Sequence, residues 1–170
     1  MNNVNVSAMI AFVESAKKDA AQARKTKKVA GIWEFGEGKP QFSASVAFAN
    51  GKATLTADSP PFLGGHGQAP DPLQYCLFGL SACYASTFMA IACERGLALT
   101  KLTITAENKV NLSKTIGLSN EPIVEEVRLA LSVSGKASRQ QLEEINRETE
   151  ERCPGAYCLK NPIRLVATVQ

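Results

Sequence analysis

The chain has 170 residues, 45% of them apolar and 21% charged, with a formal net charge of +3. That length suits one ordinary domain, and that balance supports a core, which excludes disordered, collagen-like and coiled-coil readings. Charge is unevenly placed: Lys17, Lys18, Arg24, Lys25, Lys27 and Lys28 face only Glu14 and Asp19 within residues 1–30, while the rest of the chain is nearly neutral.

The first predicted element is an amphipathic helix from residue 7 to about 25, with Met9, Ile10, Val13, Ala16 and Ala20 at 3–4 spacing and a basic opposite face. Residues 1–26 are therefore expected to be an N-terminal helical extension, and 27–170 a single domain. The basic cluster is read as a solvated helix face rather than a nucleic-acid or membrane contact. Next, Val29, Gly31, Trp33 and Phe35 alternate, as do Phe42, Ala44, Val46 and Phe48; Asn50-Gly51 signals a two-residue hairpin leading into Ala53, Leu55 and Ala57. Three antiparallel strands are expected.

A loop through Ser59-Pro60-Pro61 and Gly64-Gly65-His66-Gly67 precedes Pro70-Asp71-Pro72, which opens a long apolar helix that Gly96 closes. The 22 uncharged residues between Asp71 and Glu94 could span a bilayer by length. Gln74, Ser81, Ser86 and Thr87 within them favour a buried central helix instead. Leu102, Ile104 and Ala106 then form a strand, with Val127, Leu129, Leu131 and Val133 as its antiparallel partner. Ser138 and Gln141 give a capping box for a helix running to about Cys153, where Pro154 disfavours continuation. Ile163, Leu165, Ala167 and Val169 alternate as a closing strand. Hairpin-linked strands with segregated helices indicate an α+β fold.

The five cysteines (Cys76, Cys83, Cys93, Cys153, Cys158) are odd in number, and no secretory signal is legible at the N-terminus, so a reducing, cytoplasmic location is expected. On the central helix Gly79, Ala82, Ser86 and Ala90 form a strip of small residues that admits another helix, from this chain or a symmetry mate. Leu142, Ile145 and Thr149 mark the inward stripe of the last helix, and Cys153 returns to within about 20° of Leu142 at 100° per residue. Cys83 and Cys153 are thus two core-facing thiols on separate helices, a candidate redox pair, although inert core cysteines show the same periodicity. One histidine, His66, gives no four-ligand zinc set, and no metal site is expected. The glycine loop lacks the Lys-Ser/Thr of a phosphate loop.

The segment Leu63-Gly-Gly-His-Gly-Gln-Ala-Pro-Asp-Pro-Leu-Gln-Tyr-Cys-Leu-Phe-Gly-Leu-Ser-Ala-Cys83, with Cys153-Pro154 at the end of the next long helix, resembles the OsmC/Ohr family, the osmotically inducible and organic hydroperoxide resistance proteins. The order of elements over 29–170 is similar too. The resemblance implies an OsmC-like α+β fold with antiparallel sheets around a long buried central helix, in an intertwined homodimer. It also implies a thiol peroxidase for organic hydroperoxides. Cys83 would attack the peroxide and become a sulfenic acid, Cys153 would resolve it to a disulfide, and an external dithiol, lipoyl-type among the candidates, would reduce that disulfide with no bound cofactor. Phe62, Tyr84 and Phe88 are candidate walls of an apolar peroxide pocket. The family activates its attacking thiol with an Arg and a Glu; here Leu73 stands at the Glu position and Lys39 nearest the Arg position. An unperturbed thiol with pKa ~8.5 is about 3% thiolate at neutral pH, and lowering it by two units takes ~2.7 kcal/mol. The alternative reading is therefore an OsmC-fold stress-associated or ligand-binding protein with little or no turnover.

Overall fold

Residues 1–169 are described by a computed structural model; Gln170, the last residue of the expected 27–170 domain, lies outside the described residues. In chain order the elements are α1 (Val6–Lys18), a short 3-10 turn (Ala20–Ala23), β1 (Gly31–Trp33), β2 (Phe42–Phe48), β3 (Gly51–Ala57), a second 3-10 turn (Pro61–Leu63), α2 (Pro72–Glu94), β4 (Leu99–Val110), β5 (Val124–Gly135), α3 (Arg139–Arg152) and α4 (Pro154–Lys160). They fall into two compact units. One holds Ile10–Cys76, and the other holds Met1–Met9 with the chain from Leu77 onward.

The unit of residues 10–76 contains a three-stranded antiparallel sheet in the order β1-β2-β3. Phe42, Ala44 and Val46 stand opposite Ala57, Leu55 and Ala53, and Phe48 pairs with Gly51. The hairpin loop is therefore Ala49-Asn50, one residue earlier than the Asn50-Gly51 turn expected. This register forms seven pairs, four apolar on one face and three polar or mixed on the other, before Pro60 and Pro61, which cannot donate to a ladder. Beyond β3, Asp58 organises the glycine loop: its Oδ2 accepts the backbone N–H groups of Gln68 (2.9 Å) and His66 (3.1 Å). A Cβ at Gly65 would run into the Ser59 carbonyl, so only glycine fits there.

The other unit is built on the long β4–β5 hairpin. Leu102 faces Val133, Ile104 faces Leu131 and Ala106 faces Leu129, and burial alternates along both strands. Their inner face packs on α2 and α3 through a core of Phe88, Ile91, Ala92 and Ile145. Full burial of a side chain of this size is worth roughly 1.5–3 kcal/mol. The capping box of α3 forms as expected: the Gln141 N–H donates to Ser138 Oγ (3.2 Å) and the Ser138 N–H to Gln141 Oε1 (2.8 Å). Helix α2 starts on a similar device, with the Leu73 N–H on Asp71 Oδ1 (2.6 Å) and the Asp71 N–H on Gln74 Oε1 (2.9 Å). It ends at Gly96, whose φ of 69° suits glycine, and the N–H groups of Gly96 and Leu97 return to Cys93 and Ala92.

Three expectations change. Helix α1 stops at Lys18 rather than about residue 25, because Asp19 caps the separate 3-10 turn through the Ala21 N–H (3.0 Å). Helix α2 is long and apolar enough to cross a membrane, yet of its most apolar stretch only 28% is buried. Leu80, Tyr84, Phe88 and Ile91 face the core, whereas Cys76, Gly79, Ala82 and Ser86 are exposed. It is thus buried on one face only. The closing strand is absent: residues 162–169 pair with no strand, and Leu165 is 91% exposed. Alternation survives there in sequence, but no described sheet edge offers that segment hydrogen bonds.

Candidate active site: two thiols at a helix junction

Cys153 owes its place to the residue after it. Proline disfavours the helical conformation in its predecessor, and Cys153 has φ −75° and ψ 120°, extended backbone between α3 and α4. Its N–H still donates to Thr149 O (2.8 Å), which closes α3, and its carbonyl accepts the Tyr157 N–H (2.9 Å), which opens α4. Pro154 takes the first position of α4, where a missing N–H costs nothing. Ile145, Thr149 and Cys153, four residues apart, are all fully buried, so the inward stripe of α3 ends on a thiol.

Cys83, half-buried on α2, packs in the cluster formed by Cys153, Tyr84 and Ala156, with Ile104, Leu129 and Leu131 on the hairpin side. The Cys153 thiol packs close enough to Cys83 to hold its thiol in the neutral form. Both are free thiols. The two predicted site residues are thus adjacent, brought together from positions seventy apart in sequence.

A third participant was not anticipated from the sequence. Gly155, in the first turn of α4, brings its backbone N–H near enough to the Cys83 sulfur to favour the thiolate. A Cβ at position 155 would lie 3.2 Å from Leu80 Cδ1, 3.4 Å from Cys83 Cβ and 3.6 Å from its Sγ, so glycine leaves the sulfur free approach to the backbone. The signal was present in Cys153-Pro154-Gly155. A proline that starts a helix is followed by N–H groups with no partner of their own, and a glycine there exposes one.

The electrostatics oppose ionisation. Burial pushes the Cys83 thiol above its ordinary value; the Gly155 N–H pulls it down, and the neighbouring Cys153 and Cys158 raise it further. No cation contributes among the described residues of this site. Lys39 and Leu73 belong to the unit of residues 10–76. Of the candidate pocket walls, Phe62 is exposed in that same unit. Tyr84 is buried with its hydroxyl on Asn146 Oδ1 (2.9 Å), and burial lifts its pKa to about 12, so it stays protonated. Phe88 is a core residue at the floor of a hollow of about 600 Å³ between β5 and α3, lined also by Leu129, Leu131, Val133 and Leu142. No cluster of three or more His, Cys, Asp or Glu suited to a metal ion occurs among the described residues.

A family model described as OsmC-like protein matches residues 65–167, which include Gly65–Gly67 of the glycine loop, α2 and both thiols. The chain belongs to the OsmC family. Solved structures share its fold. An OsmC-like protein from Mycoplasma pneumoniae has a TM-score of 0.61 at 19% identity, covering 80% of this chain and 88% of the other. One from Legionella pneumophila, named an organic hydroperoxide resistance protein OsmC and redox protein, has 0.59 at 20%, covering 81% and 92%. An OsmC-like protein of unknown function from Vibrio cholerae has 0.52 at 21%, covering 77% and 92%. None of the curated proteins matches this OsmC-family sequence.

Proposed function

We propose that this OsmC-family chain is a thiol-dependent peroxidase for organic hydroperoxides, with Cys83 as the attacking thiolate and Cys153 as the resolving thiol. The observation that carries the reading is the adjacency of the two thiols, with the Gly155 backbone beside the Cys83 sulfur. In the first step the Cys83 thiolate attacks the terminal peroxide oxygen. The O–O bond breaks, Cys83 becomes a sulfenic acid, and the alkoxide leaves as an alcohol after taking a proton. The Cys153 thiolate then attacks that sulfur, hydroxide leaves as water once protonated, and a Cys83–Cys153 disulfide remains. An external dithiol reduces it, so the cycle needs no bound cofactor.

The same reading makes the protein a homodimer. The exposed strip of Cys76, Gly79, Ala82 and Ser86 on α2 supports this, because small residues let a second helix approach closely. Five free cysteines support a reducing, cytoplasmic setting. The test is consumption of cumene hydroperoxide with dihydrolipoamide as reductant. Activity is expected in the wild-type chain and lost in Cys83→Ser; equal activity in that variant refutes the assignment.

A second reading keeps the fold without turnover, and the raised Cys83 thiol favours it, together with Leu73 at the family's Glu position. Mass spectrometry after brief exposure to stoichiometric peroxide separates the two. A peroxidase yields a Cys83–Cys153 disulfide, whereas a dormant pair stays reduced.

A further inference from the structure

The Cys83 neighbourhood holds a third thiol. Cys158 is close enough that its charge raises the Cys83 thiol. Helix geometry gives the same placement independently. Cys158 follows Gly155 by three residues on α4, so the two positions share a face with Cβ sites about 5–6 Å apart. The Gly155 Cβ site is itself 3.6 Å from Cys83 Sγ. Cys83 therefore lies over the first turn of α4, next to Cys153 and within one helical turn of Cys158. Their exposures differ: Cys153 is fully buried, whereas Cys158 is exposed. In a Cys83–Cys153 disulfide the Cys153 sulfur is closed to a bulky reductant and the Cys83 sulfur is half-buried, whereas the nearby Cys158 is exposed.

We propose that Cys158 is the exit thiol of this site, moving the disulfide from the buried Cys83–Cys153 pair to an exposed Cys83–Cys158 pair that the external dithiol attacks. This rests on the peroxidase reading of Cys83 and Cys153. In the exchange, the Cys158 thiol gives its proton to solvent and its thiolate attacks the Cys83 sulfur. The Cys158–Cys83 bond forms as the Cys83–Cys153 bond breaks, and Cys153 leaves as a thiolate that takes up a proton, with no net oxidation. A thiolate of the dithiol then attacks the Cys158 sulfur and releases Cys83 as a thiolate. The second thiol of the reductant closes the reductant's own disulfide and frees Cys158, so that two electrons have passed to the protein. Cys153 and Cys158 are poorly placed to pair directly, since five residues that include a helical turn hold their Cα atoms beyond ordinary disulfide reach.

The test loads the disulfide with diamide, which oxidises thiols without peroxide and so keeps the exchange separate from peroxidase turnover. After acid quenching and alkylation, peptide mapping of Cys153→Ser is expected to show a Cys83–Cys158 disulfide. In oxidised Cys158→Ser, re-reduction by dihydrolipoamide is expected to slow about ten-fold relative to wild type, as fits loss of an accessible thiol-exchange partner. Oxidised Cys153→Ser without that disulfide, or Cys158→Ser re-reduced at the wild-type rate, overturns the proposal. A wild-type chain that forms its disulfide with diamide but not with peroxide instead counts against the peroxidase reading, and the diamide arms still decide the role of Cys158.

Discussion

In the β4–β5 hairpin, Leu102, Ile104, Leu129, Leu131 and Val133 reach a core built by α2 and α3. In the β2–β3 hairpin the same alternation of apolar and polar residues leaves Phe42, Phe48 and Leu55 exposed, and only Ala44 is buried. Each hairpin forms because alternation suits a pleated ladder, and the pairing is regular in both. Burial is a separate matter, decided by what the unit can lay over the sheet. The chain from Leu77 onward has α2 and α3 for that purpose, and these also carry the thiols, Cys83 within α2 and Cys153 at the end of α3. The contrast makes one unit the stable frame of the site and the other a sheet whose apolar side chains have little cover within it.

The sharpest way to break the contrast is to truncate one apolar side chain in each unit. Ile145→Ala removes a fully buried side chain from the core and should cost about 2–5 kcal/mol in urea unfolding. Phe48→Ala removes a larger side chain that is 58% exposed and should cost less than about 1 kcal/mol. Equal losses would mean that the β1–β3 sheet has a core of its own weight.

The next effect concerns the thiol itself. Because burial holds the Cys83 thiol above its ordinary value, thiolate is scarce at neutral pH and grows as pH rises toward that raised value. Alkylation of Cys83 should therefore accelerate about ten-fold per pH unit from roughly pH 7 to 8.5. A rate that levels off below that range would show that a cation reaches the sulfur, as the family's Arg does.

How much of this could be read in advance follows the range of the interactions. The β4–β5 antiparallel pairing, the Ser138–Gln141 cap and the inward turn of Cys153 depend on residues within a few positions or on one period, and they were legible. The meeting of Cys83 with Cys153 was not a matter of periodicity, which equally allows two inert core cysteines; the family resemblance pointed to it. The Gly155 donor is a backbone group and has no side-chain signature, although Pro154 marked where such donors begin. The strand expected over Ile163 to Val169 failed because alternation records what a segment can pair with, not whether a partner edge is at hand. The Asn50-Gly51 turn lies one residue from its expected place, and alternation on both strands fits either register.

A smaller effect tests the frame behind Cys153. Arg152 forks onto Glu94 at the end of α2 (2.8 and 3.0 Å) and reaches Glu148 (2.7 Å), while Arg95 pairs with Glu144 and Glu148. This ties the two thiol-bearing helices together through partly exposed groups. Arg152→Met should cost about 1 kcal/mol, and less at high salt, since solvent screens such pairs. A loss insensitive to salt would mean that the arginine's stem, not its charge, holds the helices.

The smallest effect lies in the other unit, at Asp58. Its carboxylate is held below the ordinary value of 3.8 first by the Gln68 N–H and then by the His66 N–H, with the charge of His66 acting the same way. A depressed carboxylate contributes stability that is complete above its unfolded value and is lost as pH falls through its lower folded value. The glycine loop should therefore stay closed at pH 5 and loosen only below the ordinary carboxylate value, while the core around Ile145 has no such group among its residues and should not respond. Hydrogen exchange at the His66 and Gln68 amides, compared at pH 5 and pH 3 with those of the β4–β5 ladder, reads this directly. Exchange that rises in both units together would show one cooperative structure in place of a rigid site frame and a separately anchored loop.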